Sequence, residues 1–284
     1  MIGKISLFLL FILFIWGNLV AGLHAGLGCP DWPLCYGEVI PPYRWDTYME
    51  FLHRVIGAIT SVFLAIFCYQ RFRAYRGGVK FIPILIILLL IFQIILGGIV
   101  VILELPVDLT TFHFGNAMVI FSLVLYMLYF DGINKKPKFS LSGYAGIFFL
   151  LSIIIFIQLV LGAYVRHSSS GLACPDFPTC LGYWIPPELS GLILNHFAHR
   201  ILAYTITIIV AVMLLASYYS KALYKYNTEL LLLIGFIILQ ILLGVGVVLT
   251  KLNFVVTALH LTLAMFILST ALYAWFRGMN ESSV

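Results

Sequence analysis

Residues 81–103 read FIPILIILLLIFQIILGGIVVIL, twenty-three positions without a charged side chain. At about 1.5 Å of rise per residue, such a run crosses the ~30 Å of hydrocarbon in a bilayer as one helix. Runs of the same character lie near 4–23, 48–70, 80–103, 110–130, 141–164, 192–219, 229–250 and 254–276. The sequence therefore predicts an all-α integral membrane protein with eight transmembrane helices. Composition agrees, with 63% of the 284 residues hydrophobic and 10% charged, where soluble domains run near half apolar and a quarter charged. Period-two alternation is missing, which argues against a lipid-facing β-barrel. The net charge of +5 sits in short stretches between apolar runs, so it is no sign of nucleic-acid binding. Lys4 before an apolar run resembles a signal peptide, but Ile5 to Val20 is long and no small-x-small site follows it directly, so a retained helix is expected.

Positive residues stay on the cytoplasmic side of a membrane. Taking alternate loops, one side holds Lys4, Arg71, Arg73, Arg76, Lys80, Lys135, Lys136, Lys138, Lys221, Lys225 and Arg277, and the other holds Arg44, Arg166 and Lys251. Eleven against three predicts a multi-pass protein of the cell membrane with both termini cytoplasmic. The long loops near 24–47 and 165–191 then face outward.

Each long loop carries a cysteine pair, in Cys29-Pro-Asp-Trp-Pro-Leu-Cys35 and in Cys174-Pro-Asp-Phe-Pro-Thr-Cys180. An oxidising outer side favours a disulfide in each, and five intervening residues with two prolines can fold back to the separation it needs. The plain role is a loop staple, and the sharper one is a pair that exchanges with a thiol partner. A zinc site fits less well, because each pair lacks the second Cys or His pair of a closed structural site. Cys68 has no partner in the pattern and is expected to serve packing.

These loops belong to an internal repeat. The cysteines map onto each other at an offset of 145, Phe51-Leu-His53-Arg54 maps to Phe197-Ala-His199-Arg200 at 146, and Gln93, Gly97 and His113 map to Gln240, Gly244 and His260 at 147. Two tandem four-helix units follow, 1–138 and 139–284. Each holds an even number of spans, so they share one orientation.

The repeat selects four of the seven histidines: His53 and His113 in spans two and four, His199 and His260 in spans six and eight. A polar imidazole inside a membrane is costly and marks a functional site by default, although hydrogen bonding to a neighbouring helix is the ordinary alternative. Two imidazoles facing each other across a bundle suit the axial positions of haem iron. Arg54 and Arg200, each next to its histidine, suit haem propionates or simple reach to the interface. Gly97-Gly98 and Gly244-x-Gly246 suit either close approach to a flat ligand or close helix packing.

Taken together, the doubled Cys-Pro-Asp-Trp/Phe-Pro-x-Cys loop, Glu50-Phe-Leu-His53-Arg54, His196-Phe-Ala-His199-Arg200 and the later His113 and His260 resemble haem A synthase over essentially the whole chain. The resemblance implies an oxidoreductase that converts the C8 methyl of haem O to a formyl group by successive hydroxylations. It implies His53 and His113 as axial contacts of substrate haem O in the first unit, and His199 and His260 as iron ligands of a resident haem b in the second. Haem O synthase and terminal-oxidase assembly factors are the implied partners beside the lipid bilayer, with an electron acceptor that the sequence does not name and a homo-oligomer compatible with it. One departure is Ala21-Gly-Leu-His24-Ala-Gly26, shorter than the family's first outer loop and without its Arg. The second half, with Val165-Arg-His-Ser168, stays closer to the family.

The repeat breaks at Glu50, which aligns with His196. Residues three apart share a helix face, so Glu50 belongs one turn outward of His53. A carboxylate near hydrocarbon needs a purpose or a partner. It suits stabilisation of positive charge on the methyl carbon or general-base catalysis on water; pairing with Arg54, or a place at a helix start, is the structural alternative. His196 competes with His199 as ligand, and the repeat alignment favours His199. A di-haem electron carrier of cytochrome b type, a haem-binding assembly protein and a membrane thiol oxidoreductase are the other function classes. An acid in one half only favours the enzyme, since electron relay does not need it.

Overall fold

The computed structural model describes residues 1–281. Eight of its helices are long and apolar enough to cross a membrane, and the chain is a multi-pass membrane protein. Contacts divide it into two compact units, Met1–Lys138 and a second from Phe139 on. Among the described residues there is no strand, only isolated bridges between Cys35 and Glu38 and between Cys180 and Tyr183.

The first unit consists of α1 (Ile2–Gly22), α2 (Trp45–Ala74), α3 (Phe81–Ile102) and α4 (Val107–Tyr129). Each helix packs on its neighbours in the order α1, α2, α3, α4 and back to α1, so α2 and α4 stand diagonally across the bundle. The second unit consists of α5 (Gly143–His167), α6 (Gly191–Ser217), a single turn α7 (Lys221–Tyr224), α8 (Asn227–Leu249) and α9 (Phe254–Glu281). Its four long helices close the same kind of ring, α5, α6, α8, α9 and back to α5, with α6 and α9 on the diagonal.

Helix ends follow local chemistry. Pro83 falls in the first turn of α3, where its missing N–H costs no intrahelical bond, and Pro106 caps α4 with φ −58°. The helix α2 starts three residues earlier and ends four later than the apolar run 48–70. The added turns carry Asp46 at the start and Arg71 and Arg73 at the end, charges that suit the helix dipole and that a hydropathy reading leaves out. The repeat extends to the backbone. Left-handed Glu104 and Leu105 close the α3–α4 turn, and Lys251 and Leu252 close the α8–α9 turn. His24 and Ser169 are matched in the same way.

The tight core of the first unit lies away from the cysteine loops, around Leu64, Phe67, Met118, Phe121 and Met127. The corresponding core of the second gathers Phe148, Ile155, Val210, Leu233 and Met265. Cys68, the free cysteine, is buried in the first of these cores. Arg71 closes that end by donating to the carbonyls of Met127 and Asp131. In the second unit Arg277 pairs with buried Glu229 at 2.7 Å.

Candidate functional site

The cysteine loops are built first from their own polar groups. Cys29–Cys35 and Cys174–Cys180 are disulfides, with Cα separations of 4.8 and 4.6 Å, and all four cysteines are buried. Bonded to each other, they offer no thiolate to zinc. Within each loop an aspartate closes a left-handed turn. Asp31 accepts the amides of Tyr36 and Gly37 at 2.6 and 2.8 Å, and Asp176 accepts those of Leu181 and Gly182 at 2.6 and 2.9 Å. The Thr179 hydroxyl donates to Asp176 as well. The Gly37 amide, joined by the Tyr36 amide, outweighs the opposing effect of desolvation and holds Asp31 below its ordinary range. The Thr179 hydroxyl, then the turn amides, hold Asp176 down to about 2.

Arg54 and Arg200 clasp these loops to the bundle. Arg54 Nη1 donates to Asp31 O and Leu34 O, both at 2.8 Å, and Nη2 to Cys29 O at 3.2 Å. Arg200 repeats the set on Asp176 O and Thr179 O, both at 2.6 Å, and Cys174 O at 2.7 Å. The remaining Nε–H of each meets the residue one turn back. Arg54 donates to Glu50 Oε1 at 3.1 Å, and Arg200 Nε lies 3.3 Å from His196 Nε2. A guanidinium has five N–H donors and four are committed here, so one on each arginine is left for an acid group such as a propionate.

Position 50 against 196 is thus the same structural slot filled by different chemistry. Glu50 is 6% exposed and so is His196. His196 also has Nδ1 3.3 Å from the Cys174 amide. A neutral imidazole carries a proton on one nitrogen, so only one of its two contacts is a hydrogen bond, yet both nitrogens are turned to loop and arginine.

The four repeat-matched histidines are set differently. His53 and His199 each stand eight residues past the first residue of α2 and α6, and His113 and His260 each six past the first of α4 and α9. These offsets amount to roughly 12 and 9 Å along the helix. Each pair thus lies at matched depth on diagonal helices, toward the cysteine-loop end, where side chains pack less tightly than in the cores. All four rings are half-buried.

A glycine of the neighbouring helix receives every one of these rings. A Cβ placed at Gly17, Gly97, Gly162 or Gly244 would stand 3.1, 3.0, 3.0 or 3.2 Å from Cε1 of His53, His113, His199 or His260. Any larger residue would push the imidazole away, so the glycines set where the rings lie. Gly98 instead receives the Trp32 ring and Gly246 meets Val256. The glycine pairs therefore serve histidine, loop and helix packing. Three histidines, His53, His199 and His260, keep a buried Nδ1 without a hydrogen-bond partner, an arrangement that is costly unless a ligand answers it.

Glutamines stand beside two of the rings. Gln93 Nε2 donates to His113 O at 3.1 Å and lies 3.1 Å from its Nε2. Gln158 Nε2 donates to His199 O at 3.0 Å and lies 3.4 Å from its Nε2. Sequence reading passed over Gln158, Gly162 and Gly17 as site residues. The signal was there as Gln-x-x-x-Gly, which occurs at 93–97, 158–162 and 240–244.

Chemically, each unit offers two imidazoles on diagonal helices, an apolar surround and a guanidinium N–H at the mouth. That donor set fits a haem held by two axial nitrogens. Among the described residues no three His, Cys, Asp or Glu side chains converge as a protein-only metal centre. A family model described as cytochrome oxidase assembly protein matches residues 43–272. The haem A synthase of Halalkalibacterium halodurans is 30% identical over 277 residues, covering 92% of this chain and 91% of that protein. That of Bacillus licheniformis is 30% identical over 264 residues, covering 89% and 86%, and that of Alkalihalophilus pseudofirmus 29% over 280, covering 92% and 91%. A match of this extent, along the length that carries both histidine pairs and both loops, places the chain in the haem A synthase family, as a membrane oxidoreductase of haem A biosynthesis.

Proposed function

We propose that this chain oxidises the C8 methyl of haem O to a formyl group by successive hydroxylations, with substrate held between His53 and His113 and a haem b between His199 and His260. The single observation that carries this division is the Glu50 carboxylate, buried and paired with Arg54 at 3.1 Å, in the slot where the second unit has His196. Haem b, when bound, supplies a one-electron redox centre. The remaining work belongs to the protein. His53 and His113 fix the substrate at matched depth, and the glycines opposite set their rings. Glu50, one turn toward the loop from His53, faces positive charge as it develops on the methyl carbon, or takes a proton from an attacking water. Arg54 pairs with that carboxylate and ties it to the Cys29–Cys35 loop. On the second side, the engagement of both His196 nitrogens with loop and arginine supports His199 as the ligand.

Protein expressed with haem O available, then extracted for pigment mass analysis, tests this reading. Haem A beside haem b is expected, whereas haem b alone with no conversion favours the electron-carrier alternative. For orientation, the proposal puts both termini in the cytoplasm and the disulfide loops outside, supported by the eleven-to-three distribution of basic residues. Labelling of Cys29, Cys35, Cys174 and Cys180 by impermeant maleimide from the outer face after reduction is expected; labelling only from the cytoplasmic face overturns it.

A further inference from the structure

At the cysteine-loop end the two units differ in charge at three matched positions. Ala21, Glu50 and Glu104 of the first unit stand where the second has Arg166, His196 and Lys251. Arg166 has the most telling place. It follows Gly162, the glycine that receives the His199 ring, by four residues on α5, so it stands on the same helix face and about 6 Å nearer the loop. The helix α5 packs on both α6 and α9, which carry His199 and His260. Side chains lean toward the N-terminus of their helix. On α5 this turns Arg166 back toward the ring, and on α6 it turns Arg200 toward the loop carbonyls that it binds. The half-buried Arg166 side chain and its buried Nε agree with that lean. The α8–α9 turn closes over the same end, since a Cβ on Gly171 would stand 2.9 Å from Leu252 Cδ2, and it brings Lys251 to the rim. The first unit repeats this turn with Leu105 against Gly26, but with Glu104 in place of the lysine. Its guanidinium at this depth, Arg54, is paired with Glu50 at 3.1 Å.

We propose that Arg166 binds a propionate of haem b, so that the second unit holds both propionates through guanidinium groups, Arg166 from α5 and Arg200 from α6. Ala21 leaves the first unit one anchor short, and substrate haem is held less tightly there than haem b. This rests on the reading that haem b lies between His199 and His260 and the substrate between His53 and His113. A haem carries two carboxylates on one edge, and with its iron between the imidazoles that edge turns to the polar loop end, where charge costs least. Guanidinium is the side-chain group whose fork matches a carboxylate. The dipole at the end of α5 is served by any cation of the last turn, and does not require the Gly162 face on which Arg166 stands. Lys251 and Glu104 act in the same direction, attracting the anionic edge at one rim and repelling it at the other.

Haem b and its dimethyl ester, in which the propionates are neutral, test this on detergent-solubilised protein whose haem b has first been transferred to an excess of apomyoglobin. The parent should rebind the free acid more tightly than the ester. Arg166→Gln should lower affinity for haem b by about tenfold, equivalent to about 1.4 kcal/mol, and leave affinity for the ester as it was. A purely structural role weakens both haems alike, and simple reach to the interface weakens neither; either result overturns the proposal. Ala21→Arg makes the reverse change and gives a readout even if Arg166→Gln folds poorly. Its loss of haem O to apomyoglobin, from protein carrying haem b, should slow by about tenfold with the haem b spectrum unchanged. Parental loss of haem O there overturns the contrast between the units. His199→Ala separates failure of the proposal from failure of the reading beneath it. If His199→Ala loses haem b while Arg166→Gln keeps the parental preference for the free acid, the propionate contact alone is wrong. If His199→Ala keeps its full haem b, the haem b assignment is wrong and the propionate contact falls with it.

Discussion

The two units are built on one plan and differ at a few positions beside their histidines and arginines. Both close four helices in a ring, both set histidines at matched depth on diagonal helices, and both clasp a disulfide loop with an arginine that takes three carbonyls. Against that common frame, Glu50 replaces His196, Leu13 replaces Gln158, and Asn116 stands where the second unit has Leu263. The common features set two imidazoles at a matched depth in each unit. The differences put a buried acid in the slot beside the loop-clasping arginine in the first unit only. Under the proposed function, duplication supplies two equivalent holders, and a few substitutions separate a reacting site from a retaining one.

The largest expected effect tests which holder retains its haem. His199→Ala and His260→Ala each remove a proposed axial ligand from the unit that has His196 in place of Glu50, and the low-spin b-type spectrum of the purified protein should be lost or severely weakened. His53→Ala and His113→Ala should leave that spectrum in place. Retention of full haem b in both second-unit variants, with loss in His196→Ala, would break the comparison at its base.

Next comes the acid. Glu50→Gln keeps size and still offers Arg54 an acceptor, but removes the negative charge. Conversion of haem O to haem A is expected to fall at least about tenfold, equivalent to about 1.4 kcal/mol of lost transition-state stabilisation. The haem b spectrum should persist, and haem O or a hydroxylated intermediate should accumulate. Unchanged haem A production would reduce Glu50 to a structural partner of Arg54.

Much of this frame was legible because membranes impose a strong code. Lipid forces long uncharged helices, so eight spans could be read from hydropathy, and an imidazole at repeated depth stands out against that background. What stayed hidden depended on contacts distant in sequence. The clasp joins Arg54 to carbonyls twenty to twenty-five residues away, and main-chain acceptors leave no trace in residue identity. Propionate contact and reach to the interface are the two roles the sequence offers Arg54 and Arg200; only the loop conformation shows where four of the five donors go. The glycine partners of the rings were partly visible at 97 and 244, but Gly17 lies in a helix without the glutamine that would have flagged it. The polar ends of α2 were missed because dipole-matched charges extend a helix past its apolar run.

A smaller effect is expected at those glycines. Gly162→Ala places a methyl group 3.0 Å from His199 Cε1, tighter than ordinary van der Waals contact, and the ring must shift. Overpacking of this kind costs about 1 kcal/mol at its lower end, so haem b affinity should fall roughly fivefold. Gly17→Ala makes the equivalent contact with His53 at 3.1 Å and should weaken substrate handling while leaving haem b content as it was. Equal loss of haem b in both variants would mean that the rings report bundle packing in general and not separate sites.

The smallest effect concerns the two loops and pH. Both aspartates have folded-state pKa values below the ordinary carboxylate value near 3.9, so the stability they contribute is fully present above that value and is lost as pH falls through the folded one. Nothing should change between about pH 5 and 8. On acidification the loops should separate, because Asp176 accepts the Thr179 hydroxyl in addition to two turn amides and is held down to about 2, while the residue matching Thr179 in the first loop is Leu34. Asp31, without that third donor, should protonate at the higher pH and release the Tyr36–Gly37 turn first. Carboxyl chemical shifts of isotope-labelled aspartate in micelles would follow the two titrations, and Thr179→Leu should move Asp176 toward the Asp31 curve. If the two carboxyls titrate together, and Thr179→Leu shifts neither, the hydroxyl does not distinguish the loops and the difference between the units is confined to the helix bundles.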